Sequence, residues 1–157
     1  PTKSFRDLAG KKEAVAAGTT NEKSLRDLSD KFKLGINLQV ARDHAESFGL
    51  VKSGQADAFA TDDVLLYGLI AQDAAKADYE VVGDFLSYDP YGIMYRKGDT
   101  QLAKVINDTF QVLAEDGEIH RQYKRWFLRK LPSGESINLP MSAQLETIIQ
   151  TMSVKAE

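Results

Sequence analysis

The sequence predicts an α/β fold in which a mostly parallel sheet is flanked by helices and is followed by a helical C-terminal segment. Short apolar runs alternate with capped amphipathic helices over the first half of the chain, and helical apolar stripes dominate the second half. The 157 residues are 43% hydrophobic and contain no cysteine, so the chain is long enough to bury a core without disulfides.

The first strand and helix show the pattern most clearly. Residues 14–17 form a short apolar run that ends at Gly18, and Thr19 with Glu22 three residues later matches a capping box. The apolar residues that follow, as far as Phe32, fall at helical spacing. The predicted order is therefore strand, glycine turn and capped helix.

This order repeats, and four strands that alternate with three helices favour a mostly parallel sheet. After Gly83 the pattern changes to a connection, one further strand and then amphipathic helices. The predicted strands cover residues 14–17, 36–40, 57–61, 79–82 and 92–96. The predicted helices begin at Thr19, at Asp43, at Asp62 or Asp63, at Asp99, after Gly117 and at Ser142.

Composition and charge argue against several classes of protein. A formal net charge of -3 gives no overall attraction to nucleic acid or anionic lipid, and no run approaches the roughly 18 apolar residues of a membrane span. With two distant histidines and no metal-binding motif, we expect neither a metal nor a cofactor. The basic run at 121–130 carries aromatic residues at helical spacing, which predicts a solvated basic face with a buried aromatic side.

Polar residues follow three of the predicted strands at the point where each strand ends. Because the carboxyl ends of parallel strands share one edge of a sheet, we expect these residues to face a common crevice. At the glycine turn, two hydroxyls and the free N–H groups of a helix start suit a ligand carboxylate, although a helix cap explains the same residues. The candidate binding residues are Gly18, Thr19, Thr20, His44 and Asp62.

Two of these candidates have simpler explanations that stay open. Asp62 and Asp63 are adjacent, so one suits a ligand ammonium group while capping of the helix by both explains the pair as well. His44 follows Asp43 and is a conceivable base, but no serine or cysteine nucleophile signature accompanies it. A polar residue at a helix start is the simpler interpretation of His44.

An ordered series of short motifs runs along nearly the whole chain. The motifs are FRDLAGKK at 5–12, GTT at 18–20, KSGQADAF at 52–59, DD at 62–63, YGI at 91–93, DG at 116–117 and KRWF at 124–127. Together they resemble the family 3 solute-binding proteins of ABC transporters, and within that family the periplasmic glutamate/aspartate-binding proteins.

The resemblance implies a periplasmic-binding-protein type II fold and a role for each candidate residue. Asp62 matches the carboxylate that binds the ligand α-ammonium, Thr19 and Thr20 match the hydroxyls that take a ligand carboxylate, and His44 matches a binding histidine of the acidic-amino-acid branch. It further implies a non-enzymatic periplasmic protein that delivers an amino acid to a permease. Glutamate and aspartate stay open as ligands, because one methylene is worth only about 1 kcal/mol.

The resemblance also implies a domain organisation. Residues 5–86 would form the second lobe of a two-lobed protein, 87–91 a hinge, and 92–157 the returning segment of a first lobe whose N-terminal half lies upstream. We therefore expect a fragment. The helices in residues 99–127 carry apolar stripes that would normally pack on the N-terminal half of the first lobe. Without that half the stripes would be exposed, which favours a homodimer or a domain swap.

Two other classes share this two-lobed architecture. One is the effector-sensing domain of a transcription regulator or of a membrane receptor. The other is a dehydratase that acts on a small carboxylic acid, in which His44 would act as the general base.

Overall fold

The structure is a computed structural model that describes residues 3–83 and 85–153. It forms two compact units, Pro1–Asp89 and Pro90–Glu157, which are described separately. Residues 84 and 154–157, which fall within the predicted lobes, lie outside the described residues. The division between the units lies inside the 87–91 segment, whose role as a hinge stays a prediction.

The first unit is built on a three-stranded parallel sheet, which confirms the predicted α/β class. The strands in chain order are β1 (Lys12–Ala16), β2 (Asn37–Ala41) and β3 (Ala58–Phe59). The central strand is β1, in which Ala14 pairs with Gln39 on one side and with Phe59 on the other. Each strand is followed by a helix, as parallel pairing requires.

Three α-helices and two short 3₁₀ helices complete the first unit. The α-helices are α1 (Thr20–Phe32), α2 (His44–Lys52) and α3 (Asp63–Gln72), and the 3₁₀ helices are Phe5–Leu8 and Lys76–Asp78. The predicted starts at Thr19 and Asp43 are confirmed, because each side chain accepts a hydrogen bond from the backbone N–H three residues later.

The core of the first unit lies between β1 and α1. Leu8, Val15, Leu25 and Ala60 form a buried cluster, and Val15 and Leu25 are fully enclosed. Partly buried apolar side chains surround the cluster; they are Phe5, Ile36, Leu38 and Leu86. Through Leu25 and Val15, this packing fixes the position of α1 relative to β1.

Two predicted strands are wrong. Residues 79–82 and 92–96 have apolar and aromatic residues typical of strands, but in the structure neither segment joins a ladder. A strand exists only where a neighbouring strand takes up its backbone N–H and C=O groups, and the part of the chain that is described supplies none to either segment.

The second unit is helical. Its helices are α4 (Thr100–Glu115), α5 (Glu118–Tyr123), which continues into a π-helical turn at Lys124–Leu128, and α6 (Ala143–Met152). The predicted starts at Asp99 and Ser142 are confirmed by hydrogen bonds from the N–H groups of Leu102 (2.9 Å) and Leu145 (3.1 Å). Gly117, with a φ of 67°, separates α4 from α5.

The aromatic side of the basic run is less buried than predicted. The rings of Tyr123 and Phe127 are in contact, with centroids 4.6 Å apart and planes tilted by 41°, but Trp126 is 48% exposed. The three aromatic residues line one depression, so they share a face of the helix, but the described residues leave that face partly exposed. Within 3–83 and 85–153, no helix combines the length and the apolar character that crossing a bilayer requires.

Candidate functional site

Three helix N-termini meet at the carboxyl edge of the parallel sheet. Strand β1 ends at Ala16 and leads into α1, β2 leads into α2, and β3 leads into α3. Because both outer strands are parallel to β1, their following turns lie at the same edge. The sheet therefore brings together the turns that carry all five candidate residues.

The glycine turn lies at the centre of this edge. Gly18 has a φ of 71°, a left-handed conformation that favours glycine. Its backbone N–H donates to Oε2 of Glu22 at 2.8 Å. In the predicted capping box, Glu22 would bind the N–H of Thr19, so the structure shifts this contact one residue toward the N-terminus.

The two threonines of the turn differ in what their hydroxyls do. The Thr19 hydroxyl accepts the N–H of Glu22 at 3.2 Å and donates its proton to the carbonyl oxygen of Ala16 at 2.8 Å. The Thr20 side chain is exposed, and its hydroxyl makes no hydrogen bond to any described residue. Thr20 is therefore the hydroxyl that is ready to donate to a ligand, while Thr19 holds the turn.

Two backbone donors accompany the Thr20 hydroxyl. The N–H groups of Thr20 and Asn21, the first two residues of α1, have no acceptor among the described residues. They point out of the positive end of the helix, which favours an anion. These two N–H groups and the Thr20 hydroxyl together form the anion seat.

Thr20 of the anion seat lines a depression of about 440 Å³ on one side of α1. Its lining residues are Gly18, Thr19, Thr20, Glu22, Lys23 and Arg26. The charges in this lining are paired, since Arg26 binds Glu22 (2.8 Å) and Lys23 binds Asp27 (2.5 Å). The N–H of Gly18 and the guanidinium of Arg26 both lower the pKa of Glu22, so that carboxylate stays ionised beside the seat.

Asp62 lies at the edge of the sheet without capping its helix. It precedes α3 but forms no side-chain cap, and its Oδ1 accepts a hydrogen bond from Nδ2 of Asn21 at 3.0 Å. The neighbouring Asp63 accepts the N–H of Val64 at 2.7 Å. The interpretation in which both aspartates cap α3 is therefore wrong for Asp62, because a tertiary contact takes its carboxylate.

His44 is the first residue of α2 and is half-buried at the same edge. Its Nδ1 lies 3.5 Å from the Thr61 hydroxyl, and its ring lies 6.2 Å from that of Phe59. The adjacent Asp43 accepts the N–H of Glu46, a contact that lowers the pKa of Asp43 and commits this carboxylate to the cap. His44 is thus placed toward α3 rather than paired with Asp43.

Two residues of the site were missed as binding candidates in the sequence. Asn21 and Thr61 each make a side-chain contact between turns that are far apart in the chain, to Asp62 and His44 respectively. The only sequence signal was their position, since both lie within two residues of a predicted helix start. In residues 3–83 and 85–153, no cluster of three or more His, Asp or Glu side chains could hold a metal.

Comparison with known proteins gives clear relatives. The L-glutamate/L-aspartate-binding protein of Pseudomonas aeruginosa is 39% identical over 155 residues, which is 98% of this chain and 51% of the relative. The glutamate/aspartate import solute-binding protein of Salmonella typhimurium is 34% identical over the same shares. The chain thus spans about half the length of these curated relatives, and it matches no protein-family model.

Solved structures give the same picture of the fold. An ancestral arginine-binding protein bound to arginine superposes with a TM-score of 0.66 and 33% identity, over 80% of this chain and 54% of that one. An ancestral amino-acid-binding protein, a precursor of cyclohexadienyl dehydratase, superposes with a TM-score of 0.58 and 32% identity, over 79% of this chain and 50% of that one. The predicted fold, a periplasmic-binding-protein type II lobe, is confirmed.

Proposed function

Since this chain belongs to the family 3 solute-binding proteins of ABC transporters, we propose that it carries the amino-acid-binding lobe of such a protein, with glutamate or aspartate as ligand. The observation that carries the proposal is the anion seat at Thr20 beside the Asp62 carboxylate, on one edge of the sheet. A zwitterion with a second carboxylate has the complementary groups.

Each candidate residue has a proposed role. The carboxylate of the ligand side chain binds at the anion seat, and the ligand ammonium group binds Asp62. Thr19 and Gly18 keep the turn in shape, since their donors are engaged within it. His44, oriented toward Thr61, provides a further donor at the rim. A charge-assisted contact to Asp62 contributes about 1.5–3 kcal/mol when it is shielded from water.

We propose that no bond is made or broken at this site. A dehydratase would need a general base within reach of a substrate proton, and His44 is the candidate. The carboxylate next to it, Asp43, accepts the N–H of Glu46 at 2.8 Å and is held by Arg42 at 3.2 Å. It therefore does not orient the imidazole, which supports a binding role for His44.

The proposed partner is the permease of an ABC transporter, and the proposed location is the periplasm. Support comes from the relative in Salmonella typhimurium, which is described as a glutamate/aspartate import solute-binding protein. Deletion of the gene should reduce uptake of glutamate or aspartate by the cells. Unchanged uptake of both amino acids would favour the effector-sensing class instead.

The domain organisation is proposed on the same basis. Residues 5–86 correspond to the second lobe, 87–91 to the hinge, and 92–157 to the returning segment of the first lobe. The first unit contains the whole sheet edge described above, which supports its assignment as the lobe that carries the ammonium site.

We also propose that this chain self-associates through residues 89–96. Tyr91, Ile93 and Met94 are 78%, 58% and 96% exposed, and the segment has strand-forming residues without a ladder. Antiparallel pairing of two copies about the bond between residues 92 and 93 would place Asp89 of one copy opposite Arg96 of the other. This charge complementarity favours a second copy as the occupant.

The test of the binding proposal is an NMR titration of the chain with L-glutamate, L-aspartate and N-acetyl-L-glutamate. N-acetylation removes the ammonium group and leaves both carboxylates, so it isolates the contribution of Asp62. We expect L-glutamate or L-aspartate to shift the amide signals of both Thr20 and Asp62, and N-acetyl-L-glutamate to shift that of Thr20 alone.

Asp62→Asn is the matched variant for this titration, because asparagine keeps an oxygen that can accept from Asn21 while it loses the charge. The variant should bind the free amino acid roughly tenfold more weakly, or worse, and should bind the N-acetylated ligand as before. Equal affinity of Asp62→Asn and the unaltered chain for the free amino acid would refute the assigned role of Asp62.

A further inference from the structure

A side-chain hydrogen bond joins the two halves of the proposed site. Nδ2 of Asn21, in the first turn of α1, donates to Oδ1 of Asp62, which precedes α3, at 3.0 Å. The two residues are 41 positions apart in the chain, and the contact is partly buried. It links the helix that forms the anion seat directly to the carboxylate that is proposed to receive the ammonium group.

We propose that Asn21 is a positioning residue, which holds the Asp62 carboxylate at a set distance and orientation from the anion seat. This inference rests on the proposed function, because it assigns Asn21 a part in recognising both charged ends of one amino acid. Asn21 does not need to touch the ligand through its side chain, since it acts through Asp62.

The conformation of Asp62 explains why such a residue is needed. An aspartate that precedes a helix ordinarily turns its carboxylate back onto the free N–H groups of the first turn. Asp62 instead has a φ of -57° and forms no side-chain cap, so its carboxylate points away from its own helix toward α1. The Asn21 amide supplies a hydrogen bond that competes with capping.

The chemistry of an amide suits this role better than that of a cation. Asn21 donates to Asp62 without adding a positive charge, so the carboxylate keeps its full attraction for a ligand ammonium group. A lysine or arginine at the same position would form an ion pair with Asp62 and would repel that ammonium group. The backbone N–H of Asn21, in contrast, belongs to the anion seat.

The variant Asn21→Ala removes the amide while it keeps the backbone N–H and a good helix former. The matched control is Asn37→Ala, the same change at the start of β2, on the opposite edge of the sheet. Thermal unfolding of both variants first establishes that they fold. The NMR titration with the free amino acid and with N-acetyl-L-glutamate is then repeated on each.

We expect Asn21→Ala to bind the free amino acid roughly five- to tenfold more weakly and N-acetyl-L-glutamate as well as the unaltered chain does. If Asn21 had a merely structural role, Asn21→Ala would weaken the binding of both ligands equally. Unchanged affinity for the free amino acid would overturn the positioning role and would leave the proposed function intact. Asn37→Ala should bind both ligands as the unaltered chain does.

A second readout does not need a ligand. Three-bond side-chain couplings of Asp62 measure the populations of its χ1 rotamers directly. We expect one dominant rotamer in the unaltered chain and in Asn37→Ala, and averaging among rotamers in Asn21→Ala. If the chain binds no amino acid, the proposed function fails while this measurement still decides the positioning role. An unchanged rotamer distribution in Asn21→Ala would overturn it.

Discussion

The hydroxyl of Thr19 donates a hydrogen bond of 2.8 Å to the carbonyl oxygen of Ala16, the last residue of the central strand. The Thr19 hydroxyl oxygen in turn accepts the N–H of Glu22 at 3.2 Å. Thr19 thus joins the end of β1 to the first turn of α1, and its proton is not available to a ligand. The neighbouring Thr20 is exposed and has no such contact with a described residue.

This difference predicts opposite effects for the two threonines. Thr19→Val should lower the free energy of unfolding by about 1 kcal/mol or more, because the helix loses its cap. Thr20→Val should leave stability nearly unchanged and should weaken binding of both the free and the N-acetylated amino acid. Urea unfolding and the NMR titration measure the two effects. A large loss of stability in Thr20→Val would contradict the assignment.

Glu13 predicts a dependence of stability on pH. This residue of β1 is 2% exposed, and its Oε2 is buried with no hydrogen-bond partner among the described residues. Burial, with the Asp57 carboxylate as a smaller cause, raises the pKa of Glu13 from 4.5 to about 8. The carboxyl is therefore protonated in the folded chain and ionised in the unfolded chain between these two values.

The contribution of the protonated Glu13 carboxyl to stability is complete below pH 4.5. It is lost as the pH rises to about 8, because the unfolded chain releases this proton more readily than the folded chain. The free energy of unfolding should fall over this range by an amount on the order of 5 kcal/mol. Glu13→Gln should remove most of this slope, while Glu80→Gln, at an exposed position, should keep it. Urea unfolding across the pH range measures both, and parallel slopes in the two variants would rule out Glu13 as the cause.

The hydrogen bond between the His120 and Glu146 side chains predicts what holds α6 against α5. Nε2 of His120 in α5 lies 2.9 Å from Oε2 of Glu146 in α6, and this contact lowers the pKa of Glu146. Its stabilising effect is present above the ordinary pKa of a glutamate and is lost as the pH falls. Glu146→Gln should therefore reduce the protection of α6 amides against hydrogen exchange.

Glu115→Gln is the control for this measurement, because Glu115 is an exposed acid that contacts Gln111 within its own helix. Protection in α6 should be the same in this variant as in the unaltered chain. If Glu146→Gln leaves the exchange of α6 unchanged as well, the contact with His120 does not hold this helix.

Self-association through residues 89–96 predicts a dimer in sedimentation experiments. Met94→Lys should shift the equilibrium toward the monomer, because it places a charge on the most exposed apolar side chain of the segment. Val105→Lys, on an exposed part of α4, is the control and should leave the dimer intact. A monomer at high concentration of the unaltered chain would disprove the proposal. Dissociation by Val105→Lys alone would place the interface on the helices.

The helix starts were predictable from the sequence because capping is local. Thr19, Asp43, Asp99 and Ser142 each accept a hydrogen bond from a backbone N–H three residues later, so a short stretch of chain contains the whole interaction. The alternation of strand and helix in the first half likewise predicted the parallel sheet and the edge at which the candidate residues meet.

The tertiary structure decided the features that depend on distant partners. Residues 79–82 and 92–96 have strand-like composition but no neighbouring strand in the described chain, so they form none. Capping and ligand binding were both open for Asp62 in the sequence, and in the structure its carboxylate forms no cap and contacts Asn21, 41 positions away. Glu13 lies in the central strand and is buried, although a glutamate is ordinarily exposed. Pairing, burial and contacts between turns are interactions of the folded chain, and no local pattern of residues contains them.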